Sequence, residues 1–341
     1  MESIIFSVDG RDDLVHEISE ELCNVNIGHH VVTGKMNTER FSDGEVCADF
    51  TTSVRGKRIY LVSSPNTAEK LIQLNFAIDA AKRAGSKDII PIIPYFPYAR
   101  QDKKDQARGP IGAKVIAEMI ENRGATSVIT FDLHADQIQG FFNIPVIHME
   151  GKFLFDRYIF ELYRDKYGDN MVLCAPDAGA GKRVKGFRDQ LKSRWDIDLP
   201  IVYIDKTRAK ANVIDTMTII GEVRTKNVII IDDMCDTAGT LCKAAEHIIE
   251  AGAMSVRSIV THGVLSGPAL ERIYDAKETG IMNDFVCSDS LSVEGKSITL
   301  EQGVYPQAKD FITQISTARQ IAKAIIATEE HRSVEHLKMA H

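Results

Sequence analysis

The stretch IIIDDMCDTAGT, Ile229 to Thr240, limits the fold more than any other part of the chain. Three β-branched apolar residues in a row suit a strand buried on both faces, and such strands belong to parallel sheets covered by helices. Aspartates at 232, 233 and 236 come next, then small residues and a threonine. Leu241, Ala244, Ala245, Ile248 and Ile249 continue at helical spacing on one face, and Gly252 supplies the stop. The stretch therefore reads as a strand, a tight turn and a helix start, with its charge at the carboxyl end of the strand. Open α/β sheets bind their ligands there.

Other parts of the chain follow the same grammar. Runs at Arg58 to Val62, Ile89 to Ile93, Val128 to Phe131, Ile201 to Ile204, Val228 to Ile231 and Ser258 to Val260 alternate with helical patterns. The alternation predicts an α/β fold with mainly parallel sheets flanked by helices. AAKRAGSKDIIPIIPY (80–95) matches HIIEAGAMSVRSIVTH (247–262) in its Ala-Gly helix end and the strand beyond, at an offset of 167 residues. That offset is near half of 341 residues, which predicts two similar domains, 1–150 and 151–341, joined between Glu150 and Lys166. A hydrophobic content of 44% is enough for two cores.

Charge and cysteine usage remove several classes of function. With 41 Lys and Arg against 48 Asp and Glu, the net charge is -7, and no basic face marks a nucleic-acid or membrane partner. Six scattered cysteines without a C-x-x-C pair give neither a disulfide framework nor a zinc site, and fit a reducing compartment. The opening MESIIFSVDGRDDLVHEI lacks the basic flank and apolar run of a signal peptide, and no apolar stretch reaches spanning length. A cytoplasmic protein is expected.

The turn itself has a chemistry. Amides of DTAGT at a helix start suit a phosphate, helped by the helix dipole. Asp232 and Asp233 would repel that phosphate, yet they suit the hydroxyls of a sugar attached to it, or a magnesium shell. Ribose carrying a 5-phosphate satisfies both halves, with Asp232, Asp233, Asp236, Thr237, Ala238, Gly239 and Thr240 as contacts. One aspartate alone would read as a helix cap in a solvated loop.

With these residues the stretch resembles the phosphoribosyl-diphosphate loop shared by phosphoribosyltransferases and ribose-phosphate diphosphokinases. RFSDGE (40–45), PYARQDKK (97–104), DLHADQIQGFF (132–142), PDAGAGKRV (176–184), DKTRAKANV (205–213) and THGVLSGPA (261–269) resemble the diphosphokinase family in its own order. The likeness runs from Phe41 to Thr328. It implies two phosphoribosyltransferase-like domains, with roughly the last 25 residues packing back on the first. It implies transfer of the β,γ-diphosphate of ATP to the 1-hydroxyl of ribose 5-phosphate, giving AMP and 5-phosphoribosyl 1-diphosphate.

The resemblance also assigns residues. Phe41, Asp43, Glu45, Arg100 and Gln101 would hold ATP, Lys206 and Arg208 would be the catalytic pair, and His134 and Asp177 would hold Mg2+ with Asp132 behind them. Physically, Asp43 and Glu45 offer acceptors to an adenine amine and Phe41 a stacking face. Read without the family, Asp43-Gly44 is a turn, Lys206 and Arg208 are surface charges and His134 is an ordinary hydrogen-bonded residue. AGAGKR is no Walker loop, because Pro176 takes the first glycine position and Arg183 the Ser or Thr. A phosphoribosyltransferase would not need the two nucleotide segments. A catalytically silent relative would be expected to lose metal or Lys-x-Arg residues, and His134, Asp177, Lys206 and Arg208 are all present. By resemblance the chain forms homo-oligomers, hexamers built from dimers, in which FSDGE of one chain reaches a neighbour's nucleotide.

Three departures from the family pattern stand out. Ala180 replaces the second glycine of DAGG, and Ala238 replaces the first of DTGGT. Ala238 is expected to keep negative φ, leaving positive φ to Gly239. Glu335 stands in RSVEHLKMAH where the family's Ser-Val-Ser regulatory segment has its second serine, so weaker activation by phosphate and weaker inhibition by ADP are expected.

Overall fold

The buried β-branched runs assemble into two large sheets in a computed structural model, which describes residues 2–24, 31–207, 216–298 and 306–334. In chain order the elements open with β1 (Ser3–Ser7), α1 (Asp12–Asn24), β2 (Val31–Thr33), β3 (Met36–Asn37), β4 (Asp49–Phe50), β5 (Arg58–Val62), α2 (Ala68–Arg83), β6 (Asp88–Ile93), α3 (Gly112–Arg123), β7 (Val128–Phe131) and β8 (Val146–Met149). They continue with α4 (Lys152–Leu162), β9 (Met171–Ala175), α5 (Gly181–Trp195), β10 (Ile201–Thr207), β11 (Thr216–Ile220), β12 (Asn227–Cys235), α6 (Gly239–Glu250) and β13 (Ser255–Gly263). The chain closes with α7 (Ala269–Glu278), β14 (Asp284–Ser288), α8 (Ala308–Phe311), β15 (Ile312–Ile315) and α9 (Ala318–Glu329). Two units result, one of residues 1–150 with 316–341 and one of residues 151–315.

In the first unit six parallel strands run in the order β2-β1-β5-β6-β7-β8. The central strands β1, β5, β6 and β7 are mainly apolar and buried because helices cover both faces. Leu74, Ile78 and Ile120 of α2 and α3 close one side, and Leu14, Ile18, Ile321 and Ile325 of α1 and α9 close the other. In the second unit the order is β11-β10-β9-β12-β13-β14-β15, parallel except where β11 runs against β10. There α6 and α7 cover one face, and α4 and α5 cover the other.

Apart from β11, the two strand orders match one for one. The match extends to hydrogen bonds at the helix ends. Gly85 and Gly252 both take positive φ, 80° and 93°. Gly56 N donates to Gly85 O at 2.8 Å as Thr225 N does to Gly252 O at 2.8 Å, and Lys87 N to Lys57 O at 2.9 Å as Met254 N does to Lys226 O at 2.8 Å. The 167-residue sequence match therefore marks a repeated structural unit. β12 is longer than its apolar run suggests. It stays paired with β13 from Asn227 opposite Ser255 to Cys235 opposite Gly263, so Asp232 and Asp233 lie inside the strand.

Candidate active site

The turn after β12 is built so that its carbonyls face away from the opening of α6. Three successive acceptors are taken by donors from the segment after β13. Leu265 N donates to Cys235 O at 3.1 Å, Ser266 N to Asp236 O at 2.8 Å, and Arg272 Nη1 to Thr237 O at 2.9 Å. The N-cap of α6, Ala238, offers no side-chain oxygen to the first N–H groups of the helix, which suits an anion there. The expected backbone signs are reversed here. Ala238 is left-handed, with φ 58° and ψ -5°, while Gly239 is not among the positive-φ residues. The glycine serves close approach instead: a Cβ on Gly239 would lie 2.9 Å from Arg272 Nη1.

Negative charge gathers at the end of β12. Asp233 N donates to Asp232 Oδ1 at 2.9 Å, and Arg183 Nη1 lies 3.9 Å from Asp232 and 3.6 Å from Asp233. Burial, then the neighbouring Asp233 and Asp177 carboxylates, push Asp232 up to about 8. Arg183, which lies in the PDAGAGKRV segment, is thus set against the Asp232 and Asp233 carboxyls as a counter-charge. Asp177 Oδ1 accepts from Ala180 N at 3.0 Å and fixes the turn into α5. Ala180 has φ -74°, so an alanine in place of glycine meets no backbone strain there. Among the described residues, no three His, Cys, Asp or Glu side chains converge as a metal-holding group.

In the first unit, residues 41–45 form an exposed tip beyond the antiparallel β3 and β4. Phe41 N donates to Glu45 O at 2.7 Å, Gly44 N to Phe41 O at 2.9 Å and Glu45 N to Asp43 Oδ1 at 3.0 Å. Asp43 thereby shapes a turn, and Phe41 is 52% exposed. Arg100 and Gln101 follow β6 in a turn where Gln101 N donates to Tyr98 O at 2.9 Å. Gln101 packs on Gly112 at the start of α3, where a Cβ would stand 2.4 Å from Gln101 Oε1. His134 is exposed beyond the carboxyl end of β7. The turn that presents it is held by Asp132, at φ 37°, whose N–H donates to Met149 O at 2.7 Å, and by Leu133 N donating to His148 Nε2 at 2.9 Å. The sequence offered no sign of His148's part. Lys206 pairs with Met217 across β10 and β11. Arg208 and Glu335 lie outside the described residues.

A repeated α/β unit whose second copy carries an uncapped strand-turn-helix loop defines the phosphoribosyltransferase class of fold. Residues 3–124 match the family model for the N-terminal domain of ribose phosphate pyrophosphokinase, and residues 146–288 match the phosphoribosyl transferase domain. The chain is 40% identical over 335 residues to the ribose-phosphate pyrophosphokinase of Halalkalibacterium halodurans, covering 98% of this chain and 96% of that one. It is 39% identical over 321 residues to the ribose-phosphate pyrophosphokinase of Porphyromonas gingivalis, covering 94% of each. The crystal structure of phosphoribosylpyrophosphate synthetase from Mycobacterium smegmatis matches with a TM-score of 0.81 at 32% identity, over 97% of this chain and 100% of that one. The chain belongs to the ribose-phosphate pyrophosphokinase family, ATP-using transferases of nucleotide biosynthesis. No helix among the described residues is long and apolar enough to cross a membrane.

Proposed function

We propose that this chain transfers the β,γ-diphosphate of ATP to the 1-hydroxyl of ribose 5-phosphate, with the turn from β12 to α6 as the sugar-phosphate site. The observation that carries this reading is the uncapped α6 start beside Asp232 and Asp233, because only a ligand with both an anion and hydroxyls suits both halves. The amides of Thr237, Gly239 and Thr240 take the 5-phosphate beside Ala238, and Asp232, Asp233 and Asp236 accept from the ribose hydroxyls.

In the reaction the ribose O1 to Pβ bond forms and the bond from Pβ to the oxygen bridging Pα breaks. AMP leaves with that electron pair, and the hydroxyl proton is released. Charge grows on the equatorial and bridging oxygens, so positioned cations carry most of the catalysis. Lys206 and Arg208 take that role, Arg100 meets the ATP phosphates, Gln101 the nucleotide, and Phe41, Asp43 and Glu45 the adenine. Mg2+ would be held by His134 and Asp177, as the family resemblance implies. When bound it neutralises diphosphate charge.

The exposed Phe41 supports a homo-oligomer, a hexamer built from dimers, in which the 41–45 tip serves a neighbouring copy's nucleotide. Six free cysteines fit the cytoplasm as the compartment. Incubation with ATP, Mg2+ and ribose 5-phosphate tests the reaction. AMP and 5-phosphoribosyl 1-diphosphate should appear in equal amounts, and stoichiometric ADP would rule it out.

A further inference from the structure

We infer that Arg272, on α7, is a positioning residue for ribose 5-phosphate: its guanidinium holds the Thr237 carbonyl so that the following amides are presented to the 5-phosphate. This rests on the assignment of the β12 to α6 turn as the sugar-phosphate site. A carbonyl and the next N–H belong to one rigid peptide plane, so fixing the Thr237 carbonyl also fixes the Ala238 N–H, which turns to the Cys235 thiol, and with it the direction in which the Gly239 and Thr240 amides leave the turn. Of the three braces on this turn, those to Cys235 O and Asp236 O come from the backbone N–H groups of Leu265 and Ser266. A side chain supplies the third alone, Arg272 Nη1 to Thr237 O at 2.9 Å.

The third brace falls at the point of greatest backbone cost, directly before the left-handed Ala238. A second contact ties the same residue to the same helix, because Cys242 Sγ on α6 lies 3.6 Å from Arg272 O. Gly239 lets the guanidinium approach the start of α6, where a Cβ would be 2.9 Å from Nη1. The charge is therefore also placed beside the amides that meet the phosphate dianion. A cleft of about 620 Å³ lies on this side of the turn, with Thr237, Gly239, Thr240, Cys242, Lys243 and Arg272 among its walls. The cleft leaves room for water to replace the guanidinium, so loss of Arg272 should alter the turn without unpacking the core.

The test compares Arg272→Ala, Arg272→Lys and Thr240→Val in the full-length protein. Arg272→Ala should raise KM for ribose 5-phosphate about tenfold, with KM for ATP and the melting temperature unchanged. Arg272→Lys, which keeps a charged donor but loses the planar fork, should fall between the two. Added methylguanidinium, small enough for the cleft, should restore part of the ribose 5-phosphate affinity of Arg272→Ala and leave Arg272→Lys unaffected. If Thr240→Val raises KM for ribose 5-phosphate while both Arg272 variants match the parent, Arg272 has no positioning role and the site assignment survives. If none of the three changes that KM, the site assignment falls as well. Equal rises in both substrates' KM, without rescue, would make Arg272 a general structural residue and overturn the inference. Should Arg272→Ala not fold, Arg272→Gln replaces it, with the same outcomes read from the same two KM values.

Discussion

Replacing Glu329 by Ala should loosen helix α9 from the sheet of the first unit. A single oxygen, Glu329 Oε1, accepts from Ser3 Oγ at 2.7 Å, Tyr60 OH at 2.8 Å and Arg58 Nη1 at 3.2 Å. The Glu329 and Arg58 side chains are only 7% and 8% exposed, and Arg58 also donates from Nε to Asp88 Oδ2 at 3.0 Å. Burial, then the Glu329 carboxylate, hold the Tyr60 hydroxyl well above the usual tyrosine range, so it remains a donor. Alanine removes the shared acceptor and strands the Tyr60 hydroxyl and one arm of the guanidinium. Breaking a buried pair in this way costs about 3–5 kcal/mol. Glutamine keeps an acceptor oxygen, and Asp88 still balances Arg58, so Glu329→Gln should cost only about 1–2 kcal/mol. Two units make a single two-state free energy undefined, and the only tryptophan, Trp195, lies in the other unit. Amide hydrogen exchange resolved to α9, β1 and β5 is therefore the assay. Exchange there should quicken by about 10² to 10³ in Glu329→Ala and about tenfold in Glu329→Gln. Parental protection in the alanine variant, or equal damage from the two, would refute the reasoning.

Ala238→Gly should relieve left-handed strain and stabilise the second unit by about 1 kcal/mol, read as a higher midpoint of Trp195 fluorescence; an unchanged or lower midpoint would show the strain to be absent. Gly112→Ala places a methyl where Gln101 Oε1 would be 2.4 Å away, so KM for ATP should rise about fivefold while that for ribose 5-phosphate holds. Equal rises would remove Gln101 from the nucleotide site. Burial raises the Asp9 carboxyl above its ordinary value, against the opposing pull of Lys70, the Ser64 N–H and Arg11. Its contribution to stability is therefore full below the unfolded value and is lost as pH rises through the folded one. Asp9→Asn should gain in melting temperature over the parent as pH climbs from about 4 towards neutrality, and a difference that stays constant with pH would contradict this.

The strands and the strand-turn-helix that carries the proposed sugar-phosphate site were legible because their signals are local. β5 and β7 coincide with their apolar runs, and the α6 face was read from residues within three turns of one another. The far end of β12 was not legible, since aspartates are poor strand formers and only pairing with β13 keeps Asp232 and Asp233 extended. The sign of φ at Ala238 was misread for the same reason. Residue type favours glycine in the left-handed region, but carbonyls fixed by Leu265, Ser266 and Arg272 decide where the chain must turn. Arg272 lies outside the motifs, and the contacts of Arg183 and Arg272 come from partners far along the chain.

The two copies of the repeat differ in a way that suits one turn, and not its counterpart, to the proposed sugar-phosphate site. In the first unit, β5 leads to α2 through Thr67, which is extended at φ -128° and whose side chain accepts from Lys70 N at 3.3 Å. That helix start satisfies one of its own donors and sits behind a turn of ordinary conformation. In the second unit the equivalent helix α6 starts from Ala238, left-handed and with no oxygen to cap it. An alanine at an N-cap gives up about 1 kcal/mol of local stability relative to Ser, Thr, Asp or Asn. The left-handed backbone adds a similar cost. Sheet order, helix ends and inter-strand braces are shared between the copies, so these costs are not imposed by the fold. They are confined to the copy whose turn follows Asp232 and Asp233, and a bound 5-phosphate is the ligand that would supply the missing acceptor. The difference between the structural turn and the proposed substrate site thus lies in the N-cap residue, Thr67 with an oxygen to offer and Ala238 with none.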